Sequence, residues 1–212
     1  MAGHGSRFSS QGFELPKPLI QVDGLPMYAR VTQSLPLHLA TRVIFVCRDD
    51  HVREHELDRD IHERFAAYAP RVVRLSAVTR GQACTAWEAR SAMDLTRPLM
   101  IHNADTVFSS DVVGSLRKYP NADGLLGVFT AAGDHWSFAQ VDGEDRVVAT
   151  AEKERISSWA STGLYYFRDP QVFGRLVENA LAVAADDREI YISPLYNQLI
   201  AEGKEIRIDK AL

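Results

Sequence analysis

The chain is poor in cysteine and carries no pattern that would make the cysteines structural. Cys47 and Cys84 sit in apolar or small-residue surroundings, with no CxxC and no Cys/His cluster. They read as two reduced thiols, which excludes a disulfide scaffold and a thiolate metal site. No apolar run approaches the roughly 18 residues that span a bilayer. Residues 1–10 are rich in glycine and serine and contain no apolar signal region. A cytoplasmic protein without a membrane partner is the expectation. Strong charge of either sign is also missing. A net charge of −4 and a pI near 6.0 exclude broad electrostatic binding to nucleic acid. They do not exclude phosphate ligands, which backbone dipoles, a few cations and a metal ion can hold on an acidic protein. No repeat, low-complexity tract or flexible linker divides the chain, and its seven histidines show no metal-ligand spacing.

What is present is an ordinary globular composition, 46% hydrophobic and 25% charged over 212 residues, enough for one large α/β domain with a full core. Strand-like and helix-like patterns alternate, which predicts layered α/β structure. A helix is expected from about residue 26, where a proline suits the first turn. A buried strand is expected at 42–47. Residues 51–68 read as one amphipathic helix, with Val52, Leu57, Ile61, Phe65 and Tyr68 on its apolar face. Further strands are expected at 71–77, 98–102, 123–130 and 162–168, and helices at 81–93 and 111–119. A β-hairpin is expected from 136–141 and 146–150 around Asp142-Gly143-Glu144-Asp145. Helices at 170–185 and 193–202 follow, the second ended by Gly203, and a short strand closes the chain.

Two motifs carry chemistry. In Gly3-His4-Gly5-Ser6-Arg7-Phe8 the glycines let backbone N–H groups converge on an anion, and Arg7 suits bidentate phosphate contact. Phe8 breaks the dinucleotide fingerprint, and the Gly-Lys-Ser/Thr ending of a P-loop is missing. Pro16-Lys17-Pro18 follows, two prolines stiffening the chain around one ammonium. Asp105 lies just past the 98–102 strand, at the edge where open α/β sheets bind ligands. It reads either as an Mg²⁺ ligand or as the cap of a turn. Glu152-Lys153 reads either as a ligand-binding pair or as a surface ion pair. Trp159 closes a pocket or packs. Glu189 and Tyr191 read as pocket support.

These residues resemble the sugar-1-phosphate nucleotidyltransferases of the NTP-transferase superfamily. The likeness runs from Gly-x-Gly-x-Arg and Pro16-Lys17-Pro18 through Thr79-Arg80-Gly81-Gln82-Ala83-Cys84-Thr85, Asn103-Ala104-Asp105-Thr106, Glu152-Lys153 and Thr162-Gly163 to 189–196, nearly the whole chain. It implies a single nucleotidyltransferase domain over 1–212. The implied fold is a Rossmann-like mixed, mostly parallel sheet flanked by helices, with an inserted hairpin. Family members carry a strand immediately before the glycine loop, and here Met1 already lies in the loop. Many relatives also continue to a second metal-binding Asp, for which only Asp209 stands near the end of the sequence.

The resemblance implies roles as well. Arg7, Lys17 and Asp105 are the catalytic set, with Asp105 holding Mg²⁺. Ala2, Gly3, Gly5, Ser6, Gly81, Gln82, Thr85 and Asn103 bind the nucleotide. Glu152, Lys153 and Gly163 bind the acceptor. The activity implied is transfer of a nucleoside monophosphate from an NTP to a small phosphorylated acceptor, with release of pyrophosphate. The acceptor would be a sugar 1-phosphate or a phosphocholine- or phosphonate-like compound, and the setting capsule or related polysaccharide synthesis. The motifs are shared by users of CTP, UTP, dTTP and GTP, and likeness favours CTP. Homo-oligomer formation stays open. The competing classes are a nucleotide-sugar glycosyltransferase, which needs neither motif, and a nucleotide-binding module without turnover.

Overall fold

The computed structural model describes residues 15–211, and the chain divides into two compact units. The first comprises the described residues up to Met93 together with Ala104–Val107. A 3₁₀ turn at Lys17–Leu19 leads into a small hairpin, β1 (Gln21–Val22) and β2 (Leu25–Pro26). Its turn residues Asp23 and Gly24 both have positive φ, the geometry that matches the twist of paired strands. Helix α1 (Met27–Gln33) starts directly after Pro26, which stands just ahead of the first turn. Strand β3 (Ile44–Arg48), helices α2 (Asp49–Glu54) and α3 (Leu57–Arg64), parallel strand β4 (Arg71–Leu75) and helix α4 (Gln82–Trp87) follow. Leu19, Tyr28, Ala29, Phe45, Cys47, Val52, Leu57, Ile61 and Phe65 form this unit's core. Tyr28, Phe45 and Phe65 lie 5.3–6.3 Å apart between ring centres, within the range of favourable aromatic contact.

The single helix expected over 51–68 is instead two. Glu56 takes a left-handed φ of 48°, and the chain turns there. Five residues separate Val52 from Leu57, a step that fits neither i+3 nor i+4. The left-handed residue swings Leu57 back inward, so that both are buried, at 3% and 1% exposure. The helix expected at 81–93 likewise ends at Trp87, and a 3₁₀ turn at Arg90–Ala92 takes over.

The second unit comprises Asp94–Asn103 and the described residues from Phe108 onward. Its elements are β5 (Leu99–His102), α5 (Val112–Lys118), β6 (Gly124–Thr130), β7 (Ser137–Val141), β8 (Val147–Glu152), β9 (Trp159–Phe167), α6 (Pro170–Val183), α7 (Tyr196–Ala201) and β10 (Ile206–Lys210). Six strands form one mixed sheet in the order β10-β6-β9-β7-β8, with β5 also pairing β9. The β6/β10 ladder is parallel, and the ladders of β9 with β5, β6 and β7 are antiparallel. The mixed α/β architecture and the inserted β7/β8 hairpin are those expected from the sequence. In that hairpin's turn Asp142 accepts the N–H groups of Glu144 and Arg146, at 2.9 and 3.0 Å. Strand β9 is buried along most of its length. Phe173 of α6 and Tyr196 of α7 close over its Phe167, at 5.0 and 4.7 Å between ring centres.

Candidate active site

Lys17 is placed by its neighbours. Prolines on both sides hold the 3₁₀ turn, and Leu19, 9% exposed, anchors it in the core of the first unit. The lysine projects to Asp105, with Nζ 2.5 Å from Oδ2. Eighty-eight residues separate the two in sequence. The side chains are 30% and 39% exposed, so a ligand in solvent reaches both. Thr106 Oγ1 donates to the other carboxylate oxygen at 3.3 Å.

In the same unit Gly81 takes φ 103° and ψ −176°, a conformation open to glycine alone. It immediately precedes α4. Thr79 Oγ1 donates to the Gly81 carbonyl at 3.1 Å and shares a 2.5 Å hydrogen bond with Thr85 Oγ1. Thr85, expected at the nucleotide, thus has its hydroxyl engaged in shaping the loop. Gln82, half-buried, opens α4 beside it.

In the second unit Asn103 and Gly163 meet. Asn103 N–H donates to the Gly163 carbonyl at 3.1 Å. Gly163 has φ 85°, and a Cβ there would fall 2.4 Å from Asn103 Nδ2, so both conformation and space require glycine. Glu152 ends β8 and accepts a hydrogen bond from Ser137 Oγ. Ser161 Oγ accepts the Gly163 N–H at 3.0 Å and bonds to Tyr165 Oη at 3.2 Å. Burial pushes the Tyr165 phenol up to about 12. Lys153 follows with a left-handed φ of 55° and donates to Tyr191 Oη at 2.9 Å.

The family model of the MobA-like NTP transferase domain matches residues 1–189. The chain belongs to the MobA-like NTP transferase family. Among solved structures it is similar to a nucleoside-diphosphate-sugar pyrophosphorylase from Vibrio cholerae RC9, at 28% identity and a TM-score of 0.85 over 99% of this chain and 89% of that one. It is also similar to an inositol-1-phosphate CTP transferase from T. maritima, at 16% identity and a TM-score of 0.77 over 100% and 84%; that likeness is one of fold. No curated protein matches it.

For this NTP transferase the glycine-loop residues Ala2, Gly3, Gly5, Ser6 and Arg7 lie outside the described residues. The donor set for Mg²⁺ is consistent with a single protein carboxylate. Asp105 already accepts a cation on Oδ2, and among the described residues no group of three or more His, Cys, Asp or Glu side chains gathers. Mg²⁺ needs only one or two carboxylates when phosphate oxygens and water complete its shell, so Asp105 fits. Asp209 is 2% exposed and accepts from Ser115 Oγ at 2.7 Å, which ties β10 to α5. Trp159 packs beneath Lys210, whose Nζ lies 5.1 Å from its ring centre.

Sequence reading did not single out Ser137, Ser161 or Tyr165. One signal was available: period two along β9 places 161 and 165 on one face. The pairing of Ser137 with Glu152 needed the structure, because the hairpin's register shifts between Gln140 and Val141, whereas counting back from the turn at Asp142–Asp145 would set Ser137 opposite Thr150.

Proposed function

We propose that the protein transfers a nucleoside monophosphate from an NTP to a small phosphorylated acceptor and releases pyrophosphate. The observation that carries the reading is the contact between Lys17 and Asp105, the cation and the acid that a triphosphate and its metal ion require, on a chain of the NTP transferase family. The acceptor's attacking group is a phosphate oxygen. A phosphate monoester has its second pKa near ~6 and is largely dianionic at neutral pH, so no general base is needed. Displacement at the α-phosphorus then depends on alignment and charge neutralisation. Lys17 and Arg7, with the amides of Gly3 and Gly5, take the negative charge of the phosphates. Ala2, Ser6, Gly81, Gln82 and Asn103 are assigned to nucleotide binding, with Thr85 shaping the loop. When bound, Mg²⁺ supplies further charge neutralisation at the phosphate oxygens, and Asp105 is its protein ligand. Glu152, Lys153 and Gly163 receive the acceptor: Lys153 its phosphate, Glu152 a hydroxyl or amine.

We take both units as parts of one nucleotidyltransferase, since the family match runs through both. We place the reaction in the cytoplasm, in surface-polysaccharide synthesis; among the described residues no helix is long and apolar enough to cross a membrane. Sugar 1-phosphates and phosphocholine- or phosphonate-like compounds are the acceptors to test, and CTP the first nucleotide, as the T. maritima neighbour is described as a CTP transferase. The test is pyrophosphate release from CTP, UTP, dTTP and GTP against that panel with Mg²⁺. One productive pair is expected. Nucleotide binding with no pyrophosphate from any pair would reassign the chain as a binding module.

A further inference from the structure

Lys153 is held by a directed chain of hydrogen bonds. Its ammonium donates to Tyr191 Oη at 2.9 Å and lies 4.9 Å from the centre of that ring. The Tyr191 hydroxyl in turn donates to Glu189 Oε2. A phenol that gives its one proton to a carboxylate offers only lone pairs to an ammonium, so the bonds run one way and reinforce each other. Three charged or titratable groups face Lys153: Tyr191, Glu152 and Glu189. Among the described residues Lys153 makes no direct ion pair with a carboxylate; the phenol stands between. A direct carboxylate partner would compete with an incoming anion. The phenol orients the ammonium instead and leaves two of its three N–H groups for a ligand.

The frame beneath is built to keep these groups together. Ile190 and Ile192 flank Tyr191 at 5% and 0% exposure, fixing the backbone that carries it. Thr150, on the strand that ends immediately before Lys153, fastens to the same segment. Its N–H donates to Asn197 Oδ1 and its carbonyl accepts from Asn197 Nδ2, both at 2.8 Å. Its hydroxyl donates to the Ser193 carbonyl at 2.8 Å.

We infer that Tyr191 and Glu189 are positioning residues that aim the Lys153 ammonium at the acceptor's phosphate. This rests on the acceptor role proposed for Lys153.

Lysine-selective NMR labelling tests this with inorganic phosphate as the probe. The chain has five lysines, and the Lys153 side-chain signal is the one lost in Lys153→Arg. Phosphate should shift that signal in the wild type. Tyr191→Phe, which keeps the ring but removes the hydroxyl, should raise the phosphate midpoint about tenfold at unchanged melting temperature. Glu189→Ala should do the same, whereas Glu189→Gln, whose amide oxygen still accepts the phenol proton, should stay within about twofold of wild type. A wild-type Lys153 signal indifferent to phosphate would overturn the acceptor role and the positioning together. A signal that responds with the same midpoint in Tyr191→Phe would overturn the positioning alone.

Discussion

Two half-exposed side chains carry the proposed chemistry, and their removal separates function from folding. Lys17→Ala deletes a positive charge at the phosphates, and pyrophosphate release should fall on the order of 10²–10³-fold in kcat. An ion pair this exposed contributes little to stability, so the melting temperature should stay within a few degrees; a large thermal loss with little kinetic loss would mark Lys17 as structural. Asp105→Asn should flatten the dependence of rate on Mg²⁺ concentration, measured over a titration of the metal. Gly163→Ala is the opposite kind of change. Its Cβ would meet Asn103 at 2.4 Å in a backbone already at φ 85°, so a loss of about 2 kcal/mol or more is expected in urea unfolding.

At the scale of elements, the break at Glu56 is the sharpest test of the fold. In a continuous helix Glu56→Gly would cost about 1 kcal/mol. At a left-handed φ of 48° it should instead leave stability unchanged or raise it by up to about 1 kcal/mol. This break was legible in the five-residue step from Val52 to Leu57, but the steps of four, four and three along Leu57, Ile61, Phe65 and Tyr68 carry the stronger helical signal. Other elements stood where pattern and turn residues agreed: the hairpin around Asp142–Asp145, the start of α6 at Pro170, the stop at Gly203. Site geometry was less legible. Lys17 and Asp105 lie 88 residues apart and Lys153 and Tyr191 lie 38 apart, and no local periodicity joins such pairs. Family resemblance supplied the first pair as expected neighbours; the second needed the structure.

For the molecule as a whole, buried acids set an alkaline limit. Burial raises the Cys47 thiol from 9.0 to about 12 and the Tyr165 phenol from 10.0 to about 12, and raises Tyr28 and Tyr196 as well. In each case the folded state retains a proton that the unfolded chain releases first. Their stability contribution is therefore complete below the unfolded values and is lost as pH climbs toward the folded ones. Each group should remove about 1.4 kcal/mol per pH unit within that window. Urea midpoints measured from pH 7 to 11 should hold to about pH 9 and then drop steeply, and Cys47→Ala should soften the drop at its lower end. A midpoint flat to pH 11 would refute this account.

The Lys17–Asp105 contact also bears on the order of events. The Lys17 ammonium lies 2.5 Å from Asp105 Oδ2, so on the proposed assignment a free divalent ion competes with a tethered ammonium for the same oxygen. A triphosphate offers the lysine a better partner and so frees the acid. Manganese titrated alone, followed by electron paramagnetic resonance, should bind weakly to the wild-type protein and more tightly to Lys17→Ala, a gain that a non-hydrolysable nucleotide should largely reproduce in the wild type. On the proposed assignment the resting protein is self-quenched, and nucleotide is the key that would unlock its metal seat.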